Sequence, residues 1–374
     1  MMTHHKIGLD ATALLGLRSG IGHYTARLIN SLMTQYPHWQ YLLFSKLPLT
    51  NLERQLQHAH RIPGHFAPSH WVWLQTMLPY LLHRYRPHIC HFTNEIAPLW
   101  SPIPYIITLH DASLFLYSQY HPRSRLWTRQ KLLPLSAKRA QAIITVSESS
   151  RQDLIRVLNI PPHKIHVTPE AAPTSFKPIT DKTKRAHLRQ KYHLPEKFIL
   201  YVGTIEPRKN LHRLVSALAQ LHQHGHPLHL VLAGPSGWLM NDFNQHIANQ
   251  GLTSYVHHLG YLPTAELPTL FSLATIFAYV SLYEGFGLPV LEAMACGTPV
   301  LTSNQGALAE IAANAAHTVN PLQVDDIAAA LRQIVTDPAY QRDLSQRGQK
   351  RAALFSWGKT AQKTAEIYQN VLNL

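Results

Sequence analysis

Short runs of β-branched and aromatic residues recur along the chain in two series, and a longer stretch with helical spacing follows almost every run. The first series occupies 6–10, 40–45, 88–92, 105–109 and 142–146, and the second 198–202, 228–233, 256–260, 276–280, 298–302 and 317–319. Strands that alternate with helices build parallel, doubly wound sheets, because a parallel connection must cross over the sheet face. Several runs are almost continuously apolar, as strands covered on both faces require. Between the series, 169–197 lacks apolar periodicity and carries Pro169, Pro173, Pro178 and Pro195, which marks a connection holding one short helix. The pattern predicts an α/β protein with one domain over 1–178 and a second over 179–356. Helices are expected over 324–335 and 341–355, and a terminal helix over 357–372 carries apolar residues at Ala361, Ala365, Tyr368 and Leu372.

A chain of 374 residues is long for one domain and right for two. Its 45% hydrophobic and 14% charged residues fit a folded chain and exclude extensive disorder. The longest apolar stretches fall far short of the roughly 18–20 residues that a membrane span needs. Met1, Met2, Thr3, His4, His5 and Lys6 lead directly into the first strand without the apolar core of a secretory signal, so a cytoplasmic protein is expected. Cys90 and Cys296 lie in separate domains inside apolar runs, which predicts reduced, buried thiols. The 26 histidines show no HExxH or comparable ligand spacing, and no metal site is expected.

The net charge of +14 is uneven. Residues 1–175 carry a balance of +10 and residues 176–374 one of +4. No acid occurs between Asp111 and Glu148, whereas Arg123, Arg125, Arg129, Lys131, Lys138 and Arg139 interleave there with Leu126, Trp127, Leu132, Leu133 and Leu135. Segment 123–139 therefore reads either as a peripheral contact with an anionic membrane or as a solvated basic helix face.

The densest motif is Ser281-Leu282-Tyr283-Glu284-Gly285-Phe286-Gly287-Leu288-Pro289-Val290-Leu291-Glu292-Ala293-Met294-Ala295-Cys296-Gly297. Pro289 suits the first helical position and Gly297 the left-handed cap, so Glu284 precedes the helix and Glu292 lies about one turn inside it. Gly285 and Gly287 let main-chain amides approach an anion, to which the helix N-terminus adds partial positive charge. A second motif runs from the strand at 198–202 through Gly203, Thr204, Ile205, Glu206, Pro207, Arg208, Lys209 and Asn210 into an amphipathic helix over 211–221. Arg208 and Lys209 thus follow a parallel strand, where open α/β sheets bind ligands, and their charge suits a diphosphate.

The EGFGLPVLEAMACGTPV segment with its Glu-x7-Glu spacing resembles the signature of family 4 retaining glycosyltransferases of the GT-B fold. That resemblance implies two Rossmann-like domains facing across a cleft, with the C-terminal helix crossing back to the N-terminal domain. The second domain would bind a nucleotide-sugar donor through Gly203, Arg208, Lys209, Gly285, Phe286, Gly287 and Leu288. Glu284 would contact the donor sugar near the reacting centre, and Glu292 the ribose hydroxyls. Gly20 and Gly22, in the Gly16–Tyr24 segment after the first strand, resemble the family's N-terminal glycine loop. His110, at the end of the fourth run, matches its cleft histidine. Val146–Ser150 is similar to a segment lining the acceptor side, and Tyr261 would flank the nucleobase.

No cofactor is implied, only a nucleoside-diphosphate sugar as substrate, GDP-mannose or UDP-hexose by resemblance. No DxD run is present for a metal-bound donor. The acceptor would be a glycan or lipid-linked glycan in surface polysaccharide assembly. Competing readings are a nucleotide-sugar epimerase of the same fold, a phosphorylase, for which no distinct pyridoxal-phosphate lysine stands out, and a basic nucleic-acid-binding protein. The last lacks any recognition-helix, zinc or RNA-binding signature, and no nucleic-acid partner is expected.

Overall fold

A computed structural model describes residues 5–16, 20–49, 59–64, 69–121, 123–237 and 240–373. The chain divides into two compact units, one formed by Met1–Glu170 with Trp357–Leu374 and the other by Ala171–Ser356. The division falls between Glu170 and Ala171, a little before the expected residue 178. The short helix of the connection is Lys182–Lys191, capped by Asp181, whose carboxylate accepts from the amides of Thr183 and Lys184.

The first unit is a seven-stranded sheet of β1 (Lys6–Asp10), β2 (Gln40–Ser45), β3 (His60–Pro63), β4 (Ile89–Phe92), β5 (Tyr105–Thr108), β6 (Ala142–Thr145) and β7 (Ile165–Val167). The order is β3-β2-β1-β4-β5-β6-β7 and every neighbouring pair is parallel. Winding reverses between β1 and β4. All residues of β4, β5 and β6 are buried, which explains why these strands are apolar apart from His91, Thr108 and Thr145. The edge strands β3 and β7 were not expected from the pattern. Only Ile62 of β3 is buried, and Pro63, tolerable at an edge, ends it; β7 is three residues long.

The second unit holds β8 (Phe198–Val202), β9 (His229–Ala233), β10 (Val256–Gly260), β11 (Ile276–Tyr279), β12 (Val300–Ser303) and β13 (His317–Val319), in the parallel order β10-β9-β8-β11-β12-β13. Here winding reverses between β8 and β11. The strand expected from Thr298 begins at Val300, because Thr298 closes the preceding turn: its amide donates to Ala293 O at 3.0 Å and its hydroxyl to Phe271 O at 2.7 Å.

The terminal helix Trp357–Leu372 belongs to the first unit, as the resemblance implied. Small buried residues, Thr360, Ala361, Thr364 and Ala365, let it pack closely. Trp357 meets the ring of Tyr24 edge-on at 5.8 Å, and Thr360 donates to Pro169 O at 2.5 Å. Tyr368 reaches the fully buried His91 of β4, whose Nδ1 lies 2.7 Å from the tyrosine hydroxyl and whose Nε2 lies 2.7 Å from Thr108 Oγ1. Both ring nitrogens are satisfied by neutral hydroxyls. Burial, with His110 nearby, depresses the His91 pKa to about 3.

An unfolded chain takes up the His91 proton below its ordinary pKa of 6.5 while the folded chain refuses it, so this contribution is full above 6.5 and is lost as pH falls toward 3. The loss is about 1.4 kcal/mol per pH unit. Acid unfolding of wild type against His91→Gln checks it: the variant should start less stable yet lose less stability between pH 6.5 and 4. Equal slopes would refute the assignment.

Candidate active site

In an open parallel sheet, the crevice beyond the strand carboxyl ends at the point of reversal is where ligands bind. In the second unit that point lies beyond β8 and β11, and both motifs emerge there. The β8 loop is built by glycines. Gly234 has φ +147°, and a Cβ on it would lie 2.1 Å from Gly203 O; one on Gly237 would lie 2.3 Å from Ile205 O. The loops after β8 and β9 therefore stack backbone on backbone, with Ile205 N donating to Pro235 O at 3.1 Å and Gly237 N to Ile205 O at 3.0 Å. Gly203 itself sits at φ +149°, and a Cβ on it would lie 2.8 Å from the Tyr201 hydroxyl. Asn210 ends the Pro207–Lys209 turn at φ +62°, a conformation Asn accepts more readily than most residues. Its amide nitrogen donates to Val280 O at 3.0 Å and Pro321 O at 2.6 Å, and Leu282 N donates to Arg208 O at 2.9 Å, tying the β8 loop to the β11 loop.

These ties bring Arg208, Lys209 and Glu284 together. Lys209 Nζ donates to Glu284 Oε1 at 2.6 Å and to Tyr279 OH at 3.1 Å. Arg208 Nη1 donates to Glu284 Oε2 at 3.2 Å and Tyr283 O at 2.5 Å, while Nη2 donates to Glu206 Oε1 at 2.8 Å. The side chains of Lys209, Glu284, Glu206 and Arg208 are only 9–13% exposed. Burial would raise the Glu284 pKa, but Lys209 and then Arg208 outweigh it and hold the carboxyl at about 2. Burial and Arg208 lower the Lys209 pKa against the pull of Glu284 and Glu206. Tyr279 stacks on Tyr201 at 5.6 Å, forming an aromatic floor.

The adjoining helix spans Leu288–Ala295, with Gly287 at its N-cap in a left-handed conformation, Pro289 in the first turn and Gly297 following at φ +75°. No N-cap side chain bonds to its N-terminus; Pro289 has no N–H and Val290 N donates to Gly287 O at 2.9 Å, so Leu288 is the first-turn amide that an anion could use. Gly285 is buried, Leu288 half-buried, and Glu292 buried on the helix. Phe286 is 5% exposed and packs edge-on against Phe355 at 6.1 Å, so its ring anchors the loop and only its main chain is available to a ligand. Tyr261, after β10, is 53% exposed.

In the first unit, Gly20 and Gly22 lie not in a loop but in the first turn of the helix Gly20–Gln35, which follows β1. Residues 17–19 of the same motif fall outside the described residues. Gly20 is exposed and Gly22 buried. His110 follows β5. Its Nε2 donates to Thr93 O at 3.1 Å, which leaves Nδ1 facing Glu170 Oε1 at 3.8 Å, and Tyr24 packs edge-on to the ring at 4.7 Å. Burial works against a charged ring, but Glu170 and Glu95 raise the pKa above its ordinary value. Ser147 caps the helix Glu148–Leu158 through Ser150 N at 3.0 Å, a structural use of the Val146–Ser150 segment.

Glu206, Asn210 and Tyr279 in the second unit, and Glu95, Glu170 and Tyr24 in the first, were not singled out from the sequence. Glu206 had a legible signal: it lies two residues before Arg208 on the same strand-end loop. Glu95, at φ +62° and 8% exposed, and Glu170 had none.

Two parallel doubly wound sheets, with charged groups gathered at the point of reversal of the second, are the two Rossmann-like domains of the GT-B fold. The comparisons agree. A family model for Glycosyltransferase Family 4 matches residues 18–176 and one for Glycosyl transferases group 1 matches 184–351. The chain is 35% identical over 290 residues to O-antigen chain mannosyltransferase B of Escherichia coli, covering 77% of this chain and 76% of that protein. It is 31% identical over 301 residues to the serotype-specific mannosyltransferase WbdA of Escherichia coli, covering 78% of this chain but 37% of that longer protein. Sucrose-phosphate synthase from Thermosynechococcus elongatus shares the fold with a TM-score of 0.81 at 22% identity, covering 99% of this chain and 100% of that one. The chain belongs to glycosyltransferase family 4.

Proposed function

We propose that this glycosyltransferase moves a mannosyl residue from a nucleoside-diphosphate donor to a growing surface glycan, with retention and without a bound metal. The observation that carries the reading is the convergence of Arg208 and Lys209 on Glu284 beyond β8 and β11, beside an uncapped helix N-terminus. The two cations and the amides from Gly285 to Leu288 neutralise the diphosphate as the bond from the sugar C1 to the phosphate oxygen breaks. The acceptor oxygen then bonds to C1 on the same face, and its proton passes to the departing phosphate. Glu284 holds the sugar and does not attack it, and Glu292 holds the ribose. His110, kept protonated more readily than usual, orients the sugar. GDP-mannose and UDP-hexoses are the donors to test, and mannose is favoured because the relatives above are mannosyltransferases.

A thermal-shift screen of GDP, UDP and ADP with their sugars, in EDTA, tests this. One nucleotide and its sugar should stabilise the fold by about 2.7 kcal/mol at a hundredfold excess over Kd. No stabilisation by any nucleotide, or its loss in EDTA, would sink the reading.

The acceptor side is proposed to act at the cytoplasmic face of a membrane. Among the described residues, no helix is long and apolar enough to cross one. Segment 123–139 is helical, and Lys131, Leu135, Lys138 and Arg139 are all exposed on it at spacings that share one face. Arg139 Nη1 donates to Leu99 O at 2.5 Å, and the neighbouring Trp100 is 65% exposed. Basic groups around exposed Trp and Leu suit an anionic interface. Flotation with vesicles containing anionic lipid should recover the protein, and Trp100→Asp with Leu135→Asp should reduce recovery several-fold. Equal recovery with neutral vesicles would count against it.

A further inference from the structure

The two cations of the site already hold an anion, and it belongs to the chain. Both oxygens of the Glu284 carboxylate are engaged, Oε1 by Lys209 Nζ at 2.6 Å and Oε2 by Arg208 Nη1 at 3.2 Å. Each cation has a second anchor: Tyr279 OH, which also bonds to Glu284, for Lys209, and Glu206 with Tyr283 O for Arg208. Two cations and two carboxylates give the cluster no net formal charge. A diphosphate approaching it therefore meets a neutral group and must compete with Glu284 for the same N–H donors.

We propose that donor binding is an anion exchange: the diphosphate displaces the Glu284 carboxylate from Arg208 and Lys209, and the released carboxylate becomes available to the sugar hydroxyls. This rests on the nucleoside-diphosphate reading above and adds an order of events to it. Glu206 and Tyr279 keep the cations in place while Glu284 leaves, so the site is aimed before the ligand arrives. The exchange runs backwards after transfer. Once the sugar has gone, Glu284 has no hydroxyls to hold, and its return to Lys209 and Arg208 helps expel the nucleoside diphosphate product. The carboxylate thus weakens product binding while serving transfer, and the two effects can be separated.

Titration calorimetry with GDP and UDP on the full chain is the test. Glu284→Gln keeps the shape and removes the competing charge. It should bind the free nucleoside diphosphate about tenfold tighter than wild type, while its transfer rate falls at least a hundredfold. Glu284→Ala should also bind tighter, and Glu284→Asp, with the charge kept on a shorter arm, should do so by a few fold; Asp carries the test if the neutral variants do not fold. Glu196→Gln removes an exposed acid elsewhere and should leave binding unchanged, which separates local competition from net charge. If wild type binds neither nucleotide, the nucleotide reading itself fails. If wild type binds and the Glu284 variants bind equally or more weakly, the exchange is wrong and the nucleotide reading stands.

Discussion

Replacing Lys209 by alanine is expected to lower kcat/KM for sugar transfer about a thousandfold, equivalent to about 4 kcal/mol of transition-state stabilisation. Lys209 is buried, 8% exposed, and its ammonium is fixed by Glu284 at 2.6 Å and Tyr279 at 3.1 Å. In the proposed mechanism it meets the departing diphosphate where water is scarce and a charge-assisted contact is strong. Folding should suffer much less. Lys209 is itself held at a lowered pKa by burial, and Glu284 keeps its contact with Arg208 at 3.2 Å, so the carboxylate is not orphaned. Steady-state kinetics and a melting curve on the same sample check both halves. Activity within threefold of wild type would remove Lys209 from the chemistry, and a collapsed melting curve would make it a structural residue.

Gly234→Ala should be the most damaging single-methyl change in the second unit, costing roughly 3–5 kcal/mol from strained backbone plus overpacking. The added Cβ would lie 2.1 Å from Gly203 O, a main-chain atom fixed by Gly203 N donating to Ala233 O at 2.9 Å, at a φ of +147° that side chains rarely adopt. Neither the turn nor the neighbour can yield without opening the loop that aims Arg208 and Lys209. Gly297→Ala supplies the contrast. Its φ of +75° is unfavourable, but the nearest atom, Gln349 Nε2 at 3.0 Å, ends a flexible side chain, so about 1 kcal/mol is expected. Denaturant unfolding of the two variants should separate them clearly. Equal midpoints would mean that the stacked loops relax in a way the geometry forbids.

The central strands were legible because parallel strands covered on both faces are largely apolar, and β1, β2 and β8 fall on the runs read from the sequence. The edge strands β3 and β7 of the first sheet escaped, since one buried Ile in β3 is too weak a signal, whereas β10 and β13, the edges of the second sheet, were read from their runs. Boundaries shifted where a residue had another use, as Thr298 does when its amide closes the preceding helix on Ala293 O and its hydroxyl donates to Phe271 O. At the site, Pro289 and Gly297 announced the helix because their backbone limits are local properties. Gly234 and Asn210 did not announce themselves, since their roles depend on a loop or carbonyl brought close only by the fold. Arg208 and Lys209 were readable as cations at a strand end, whereas their pairing with Glu284, 75 residues away in the case of Lys209, belongs to tertiary structure. In the first unit the resemblance singled out His110, whereas Glu170, just beyond β7, comes within 3.8 Å of it only because β5 and β7 lie in the same sheet.

A structure of the full chain with its nucleoside diphosphate bound tests the central claim most directly. The account predicts phosphate oxygens within hydrogen-bond distance of Lys209 Nζ, an Arg208 terminal nitrogen and a main-chain amide between Gly285 and Leu288. A nucleotide bound elsewhere, or with its phosphates pointing away from these groups, would contradict it.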